Sequence, residues 1–234
     1  MAKLIKTELT EGSGFIILEK LIPENIIDSI NLKLNTLYPV RASSTSKKYA
    51  ERDEIKNLPD IAVWWSQMVM DWPEVKHIND ILIHKVGEYL SDPEWYASDI
   101  VTINPNSKWV NPHVDTPHRF KKYNYDKRLL GVQAICSLYD LDENNGVTGV
   151  VPKSQLLDFN INLCYQGFYN SWYMKNYVQT KLPKGSVLFY NCRVLHSSMP
   201  NPQNNPRQAL LFNYLNSSII DDVKTLDNIW NSNT

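Results

Sequence analysis

Gly185-Ser186-Val187-Leu188-Phe189-Tyr190 is a short apolar run that begins at a glycine, and it predicts a buried β-strand. Comparable runs occur along the second half of the chain, at residues 100–103, 129–139, 147–151 and 209–214. Proline, glycine and asparagine separate these runs. Several short strands broken by turn residues are typical of a β-sandwich or a β-barrel, so the second half of the chain predicts a β core.

The first third of the chain has a helical pattern instead. Pro23 stands where a helix can begin, because its missing N–H needs no partner there. Ile26, Ile30 and Leu34 then follow at helical spacing, and residues 75–90 repeat the pattern. Helices before strands predict an α+β fold in which the N-terminal helices pack on one face of the β core.

The chain contains no internal repeat and no low-complexity linker that would separate two domains. We therefore expect a single domain over residues 1–234. Its predicted parts are a helix-rich region over residues 1–97, a β core over 98–216 and a C-terminal tail over 217–234.

The composition narrows the class of protein. A chain of 234 residues with 43% hydrophobic residues is large enough to fold around its own core. The net charge of −1 gives no basic field for nucleic acid or an anionic membrane, and no apolar run is long enough to span a bilayer. The three cysteines show no CxxC spacing, which favours reduced thiols in the cytoplasm. A small-molecule substrate is the expected partner, and the oligomeric state is left open.

His113-Val114-Asp115 lies in a turn-rich stretch and is the first candidate site. In extended backbone, residues i and i+2 point to the same side, so the imidazole and the carboxylate converge. His196, after the strand at 186–190, can complete two histidines and one carboxylate, the facial triad of non-haem Fe(II) oxygenases. Two alternatives remain open: His113 caps a turn, or His118 joins His113 and Asp115 in a zinc site.

Arg207 favours the triad that includes His196. It lies eleven residues beyond His196, at the start of the last predicted strand. A guanidinium binds a carboxylate through two parallel hydrogen bonds and stays charged. Beside a metal it can hold the distal carboxylate of a dicarboxylic keto acid, and the alternative is a surface arginine in a solvated hairpin.

Several motifs in this order resemble those of the phytanoyl-CoA dioxygenase family of Fe(II)/2-oxoglutarate oxygenases. They are the opening strand at residues 14–19, His113-Val114-Asp115, Glu143-Asn144-Asn145-Gly146 with residues 150–154, the strand at 185–189, and the ending His196, Ser198 and Arg207. The resemblance covers residues 14–214. It implies a double-stranded β-helix, the jelly-roll or cupin-like core, backed by N-terminal helices.

The resemblance also implies the cofactors and the roles of residues. Fe(II) binds to His113, Asp115 and His196, and 2-oxoglutarate is the co-substrate with O₂. Ser198 and Arg207 hold the distal carboxylate of 2-oxoglutarate. The reaction releases succinate and CO₂, and the presence of Asp115 favours hydroxylation, because related halogenases lack this carboxylate.

Some positions depart from the family pattern or allow two interpretations. Lys153 and Gln155 replace a glycine and a histidine of the family, and a tryptophan usual near Gly131–Gln133 is missing. In relatives these positions lie near the substrate pocket and are not metal ligands, so the resemblance defines the metal site but not the substrate pocket. Gln133 either contacts the co-substrate or is a satisfied core amide. The long aromatic connection over residues 156–184 is either a lid over the metal or a helix packed on the barrel.

Two other functions are compatible with the same residues. One is a cupin-like metalloenzyme that does not use 2-oxoglutarate. The other is a non-catalytic binding module on the same scaffold, against which the intact ligand set and the intact carboxylate-binding arginine argue.

Overall fold

The computed structural model describes residues 2–36, 63–64, 67–103, 111–158, 167 and 169–232. The helices are α1 (Ala2–Thr10), α2 (Glu24–Thr36), α3 (Pro73–Val86), α4 (Asn170–Asn176) and α5 (Ile220–Ser232). The strands are β1 (Phe15–Leu18), β2 (Val63–Trp64), β3 (Pro93–Ile103), β4 (Gly131–Ser137), β5 (Thr148–Val150), β6 (Val178–Gln179), β7 (Val187–Asn191), β8 (His196–Ser198) and β9 (Arg207–Asn216). Short 3₁₀ helices lie at Gln67–Asp71, Ser154–Leu156 and Ser217–Ile219.

The strands form two antiparallel sheets. The larger has six strands in the order β1-β7-β4-β9-β3-β2, and the smaller has three in the order β6-β5-β8. A single bridge between His113 and His196 extends the smaller sheet by one more segment. The predicted strands at 186–190 and 209–214 are β7 and β9, and they flank β4 at the centre of the larger sheet.

Side chains of the central strands point alternately to the two faces of the large sheet, and each face packs in its own apolar layer. Val132, Ala134 and Cys136 of β4 belong to the core that the large sheet forms with α1, α2 and α3. Ile135 points to the other face and packs with Leu188, Val150 and Ala209 inside the pair of sheets. The prediction that the N-terminal helices pack on one face of the β core is therefore confirmed.

The C-terminal region differs from the predicted tail, because it folds into helix α5. Ile220 and Val223 of this helix are buried against Phe120 and Tyr123. Apolar residues three positions apart carry the helical signal here, although polar residues surround them.

Ionic contacts attach α5 to the segment that follows Asp115. Lys122 Nζ lies 2.7 Å from Asp222 Oδ1, and Arg119 forms an ion pair with Asp227. Strand β3 also differs from the prediction, since it begins at Pro93, within the region expected to be helix-rich. In the described ranges, no helix is long and apolar enough to cross a membrane.

Candidate metal and dicarboxylate site

The backbone brings His113, Asp115 and His196 together. The amide of His113 donates to the carbonyl of His196 at 2.9 Å, and the amide of His196 donates to the carbonyl of His113 at 3.0 Å. The amide of Asp115 donates to the carbonyl of Cys192 at 2.9 Å. One ligand atom from each of the three side chains lies within 4.8 Å of the others, a spacing that can hold one metal ion.

Carbonyl groups fix the orientation of both imidazoles. Nδ1 of His113 donates to the carbonyl of Asn111 at 2.9 Å, and Nδ1 of His196 donates to the carbonyl of Val194 at 3.0 Å. In this tautomer each Nε2 has a free lone pair, which is the form of histidine that binds metal. Burial, together with the nearby His196 ring, lowers the pKa of His113 to about 4, so its imidazole is neutral at pH 7.

Tyr190 brings a hydroxyl group to the same place. It is 1% exposed, and its hydroxyl donates to Oδ2 of Asp115 at 2.8 Å. The same oxygen is 3.2 Å from Nε2 of His196. Burial and the negative charge of Asp115 raise the pKa of Tyr190 well above its usual value, so the phenol is protonated at neutral pH.

Arg207 is a buried cation without a counterion among the described residues. It is 4% exposed, and its Nε and Nη2 atoms are buried without a hydrogen-bond partner. Burial lowers its pKa to about 10, so the guanidinium still carries its charge at pH 7. A buried charge without a partner is costly, and a bound carboxylate would remove that cost.

The register of β9 places Arg207 on the interior face of the large sheet. Arg207 is opposite Ile103 of β3, and Ala209 and Leu211 follow on the same face. Ala209 belongs to the apolar cluster that also contains Tyr190. The interior therefore combines a metal-binding group, apolar surface and a cation, which fits a dicarboxylate with a methylene chain.

Ser198 and Gln133, the other two residues predicted to contact the co-substrate, lie near this site. Ser198 is half-buried on β8, two residues after His196, so both side chains share one face of the small sheet. Gln133 is opposite Tyr190 in the register of β4 and β7. Its Oε1 accepts a hydrogen bond from Asn213 Nδ2 at 2.7 Å, which leaves the amide nitrogen as the group able to donate to a ligand.

His118 is outside the metal-binding group. Its Nδ1 donates to the carbonyl of Tyr123 at 3.0 Å, and burial lowers its pKa to about 4. The group that could hold a metal in the described part of the chain contains His113, Asp115 and His196. The geometry therefore favours His196 over His118 as the third ligand.

The aromatic connection packs on the outer side of the small sheet. Residues 159–166 and 168 of it, including Tyr165 and Phe168, lie outside the described residues. Tyr173 of α4 is fully buried with Val114 and Leu195, whose side chains alternate with those of the triad. The Tyr173 hydroxyl donates to the carbonyl of Gly149 at 2.7 Å, an approach that a side chain at Gly149 would block.

Tyr190 and Asn213 contact candidate site residues but were not predicted from the sequence. Both belong to runs that predict strands, and alternation along those runs could have identified them. Tyr190 is six residues before His196, and Asn213 is six residues after Arg207. A polar side chain on the inward face of a buried strand is the signal, because such a group needs a partner.

The positions that depart from the family pattern contact the N-terminal part of the chain. Nε2 of Gln155, which is 1% exposed, donates to the carbonyl of Gly12 at 3.1 Å. Lys153 is exposed, and its amide donates to the carbonyl of Ser13 at 2.8 Å. These contacts join the turn after β5 to the turn before β1.

The fold and the site together define a non-haem metal enzyme built on a double-stranded β-helix. The chain matches the family described as Phytanoyl-CoA dioxygenase (PhyH) over residues 10–209. The protein therefore belongs to this family of iron- and 2-oxoglutarate-dependent oxygenases, as the sequence motifs predicted.

Similar solved structures support the fold. The α-ketoglutarate-dependent epimerase SnoN from nogalamycin biosynthesis has a TM-score of 0.70 at 14% identity, with 92% of this chain and 83% of that chain covered. The α-ketoglutarate-dependent carbocyclase SnoK from the same biosynthesis has a TM-score of 0.63 at 18% identity, with 93% and 85% covered. HygX from Streptomyces hygroscopicus, solved with nickel and 2-oxoglutarate bound, has a TM-score of 0.67 at 13% identity, with 91% and 86% covered. A comparison with curated protein sequences gave no match.

Proposed function

We propose that the protein is an Fe(II)- and 2-oxoglutarate-dependent dioxygenase that hydroxylates a small organic molecule. The observation that carries the proposal is the Arg207 guanidinium, whose Nε and Nη2 atoms have no partner among the described residues, in the same interior as the His113, Asp115 and His196 side chains. A metal site alone would suit many reactions. A metal site with a buried cation that lacks a counterion suits a co-substrate with a second carboxylate.

His113, Asp115 and His196 are the proposed metal ligands. Two neutral imidazoles and one carboxylate leave three coordination positions open, which a chelating co-substrate and O₂ need. Bound iron and 2-oxoglutarate supply the oxidising chemistry, with release of succinate and CO₂. The residues of the chain supply ligation, orientation and a dry interior.

Arg207 and Ser198 are the proposed binding residues for the distal carboxylate of 2-oxoglutarate. The guanidinium offers two N–H donors to two carboxylate oxygens, and the Ser198 hydroxyl can add a third donor. Gln133 is the proposed donor to the metal-binding end of the co-substrate, because Asn213 already occupies its carbonyl oxygen.

The proposed class of reaction is inferred from the presence of Asp115. The proposed class of substrate is inferred from the net charge of the chain. A carboxylate ligand occupies the position where a halogenase places chloride, so hydroxylation is the proposed outcome. The formal net charge of −1 supports a small molecule as substrate over nucleic acid. The free thiols of Cys136 and Cys192 support a cytoplasmic location.

An anaerobic titration tests the proposal. Addition of 2-oxoglutarate to the Fe(II)-loaded protein should produce the visible charge-transfer band of the chelate. Arg207→Ala should require a much higher concentration of 2-oxoglutarate for the same band. A candidate substrate is then identified by succinate release that matches product.

The same titration distinguishes the other two functions. Iron binding with no band, followed by oxygen consumption without succinate, would instead support a cupin-like enzyme that does not use 2-oxoglutarate. Binding of neither iron nor 2-oxoglutarate would support a binding module.

A further inference from the structure

The Tyr190 hydroxyl lies between two of the proposed metal ligands. Tyr190 is inward-facing on β7, next to Leu188 in the interior cluster. Its oxygen is 2.8 Å from Oδ2 of Asp115 and 3.2 Å from Nε2 of His196, while Nε2 of His196 is 3.5 Å from the same carboxylate oxygen. The phenol is therefore part of the immediate surroundings of the metal site.

Each proposed ligand has its own orienting partner in the chain. The carbonyls of Asn111 and Val194 hold the two imidazoles through Nδ1. Within the described ranges, the group that donates to the Asp115 carboxylate is the Tyr190 hydroxyl. Hydrogen-bond partners of metal ligands fix the orientation of a ligand and set which of its atoms faces the metal.

We propose that Tyr190 is the positioning residue of Asp115, an inference that rests on the proposed function. The hydroxyl of Tyr190 donates to Oδ2, the oxygen that also lies 3.5 Å from Nε2 of His196, so it holds the carboxylate in one orientation and disfavours metal binding through both oxygens. A carboxylate that bound through both oxygens would take one of the three positions that the co-substrate and O₂ need. The hydrogen bond from Tyr190 thus keeps the coordination sphere open.

Tyr190→Phe removes the hydroxyl and keeps the ring that packs in the interior cluster. Tyr173→Phe is a matched control, because Tyr173 is also fully buried and its hydroxyl also donates a hydrogen bond, here to the carbonyl of Gly149. Each protein is titrated anaerobically with Co(II), and the visible d–d spectrum and the dissociation constant are recorded. The titration is repeated with 2-oxoglutarate added.

Tyr190→Phe should weaken Co(II) binding on the order of 10–100-fold. It should also change the d–d spectrum and reduce the spectral response to 2-oxoglutarate, because the freed carboxylate oxygen competes for the metal. Tyr173→Phe should leave the Co(II) affinity and the spectrum at the parent values. A purely structural role of Tyr190 would lower the melting temperature and leave the Co(II) spectrum unchanged.

Three results would overturn the inference. The first is an unchanged Co(II) affinity and spectrum in Tyr190→Phe. The second is an intense phenolate charge-transfer band of the Fe(III)-loaded parent that Tyr190→Phe lacks, because it would make Tyr190 a ligand. The third is a parent protein that binds neither Co(II) nor 2-oxoglutarate, which would overturn the proposed function as well, whereas the first two would leave that function standing.

Discussion

The triad and the Arg207 guanidinium share one interior but differ in how the chain compensates their polarity. Each imidazole of the triad donates to a backbone carbonyl, and the carboxylate accepts from Tyr190. Arg207 is buried to the same degree as His196, yet its Nε and Nη2 atoms have no partner in the described part of the chain. The triad is thus oriented before any ligand binds, whereas two nitrogens of Arg207 are desolvated without a partner from the described ranges.

This difference teaches where binding energy for the co-substrate comes from. An oriented metal site gains affinity because its side chains lose little conformational entropy when the metal binds. A buried unpartnered cation gains affinity because the ligand removes a cost that the free protein already carries. The five predictions that follow test this contrast, from the largest expected effect to the smallest.

Arg207→Ala should have the largest effect. Loss of one partner of a buried charge-assisted pair costs about 3–5 kcal/mol, or roughly two to four decades in affinity. The dissociation constant of 2-oxoglutarate, measured on the Fe(II)-loaded protein under argon, should rise by that factor, and the iron affinity should stay near the parent value. Arg207→Lys should recover part of the loss, because an ammonium cannot form two parallel hydrogen bonds. An unchanged 2-oxoglutarate affinity in Arg207→Ala would contradict the assignment.

Asp115→Ala removes one of the three proposed ligands, so it tests the metal triad rather than Arg207. Loss of a ligand should exceed the effect of losing an outer partner, so Fe(II) affinity should fall by more than about 100-fold. His196→Ala should behave alike, and His118→Gln should keep the parent affinity, because His118 is bonded to the carbonyl of Tyr123 outside the triad. The measurement is a metal titration by calorimetry. Parent-like binding in His196→Ala with loss in His118→Gln would support the zinc alternative.

Arg207→Met tests the cost that the free protein carries. An apolar side chain of similar length removes a buried, unpaired charge, so the ligand-free protein should become more stable by about 1–3 kcal/mol. The midpoint of urea unfolding should rise without 2-oxoglutarate, and addition of 2-oxoglutarate should stabilise the parent but not the variant. A ligand-free variant less stable than the parent would show that Arg207 is compensated in the free state.

The sequence predicted the parts of this site that depend on local pattern. The strands that became β7 and β9 follow from apolar runs, and the convergence of His113 and Asp115 follows from the two-residue period of extended backbone. Arg207 and the family motifs already favoured His196 over His118, and the His113–His196 bridge, which joins segments 83 residues apart in sequence (196 minus 113), gives the geometric reason. No local pattern encodes such a pairing.

The environment of Arg207 and the position of α4 could not be predicted from local sequence pattern, because both depend on tertiary contacts. The absence of a counterion for Arg207 among the described residues depends on which carboxylates the fold brings near it, and spacing along the chain does not determine this. The position of α4 on the outer side of the small sheet depends on Val114 and Leu195, which are apolar neighbours of the triad residues. The helical spacing at the C-terminus, by contrast, is present in the sequence at Ile219, Val223 and Leu226, but polar residues surround it and weaken the signal.

Trp172→Ala tests whether the aromatic connection over residues 156–184 is a segment packed on the barrel or a lid over the metal site. Trp172 is half-buried against the cluster that contains Val114 and Leu195. Loss of part of that apolar contact should cost about 1–2 kcal/mol of stability, measured by urea unfolding. The ratio of succinate to hydroxylated product should remain at the parent value. Excess succinate with unchanged stability would instead support the lid interpretation of this segment.

Lys153→Gly should give the smallest effect, and it acts on the turn that supports the triad. Lys153 has a φ of 64°, the left-handed region that favours glycine. Two hydrogen bonds hold the turn in place: the amide of Lys153 donates to the carbonyl of Ser13, and the amide of Leu195, next to His196, donates to Ser154 Oγ at 2.8 Å. Glycine removes the steric cost of about 1–2 kcal/mol and adds an entropic cost of about 0.5–1 kcal/mol, so the net gain should be about 0.5–1 kcal/mol. Lys153→Ala is the control, because alanine keeps the Cβ and should give no gain. Equal urea midpoints for the two variants would show that the turn relaxes at no cost, and that the order of the triad does not depend on this strained residue.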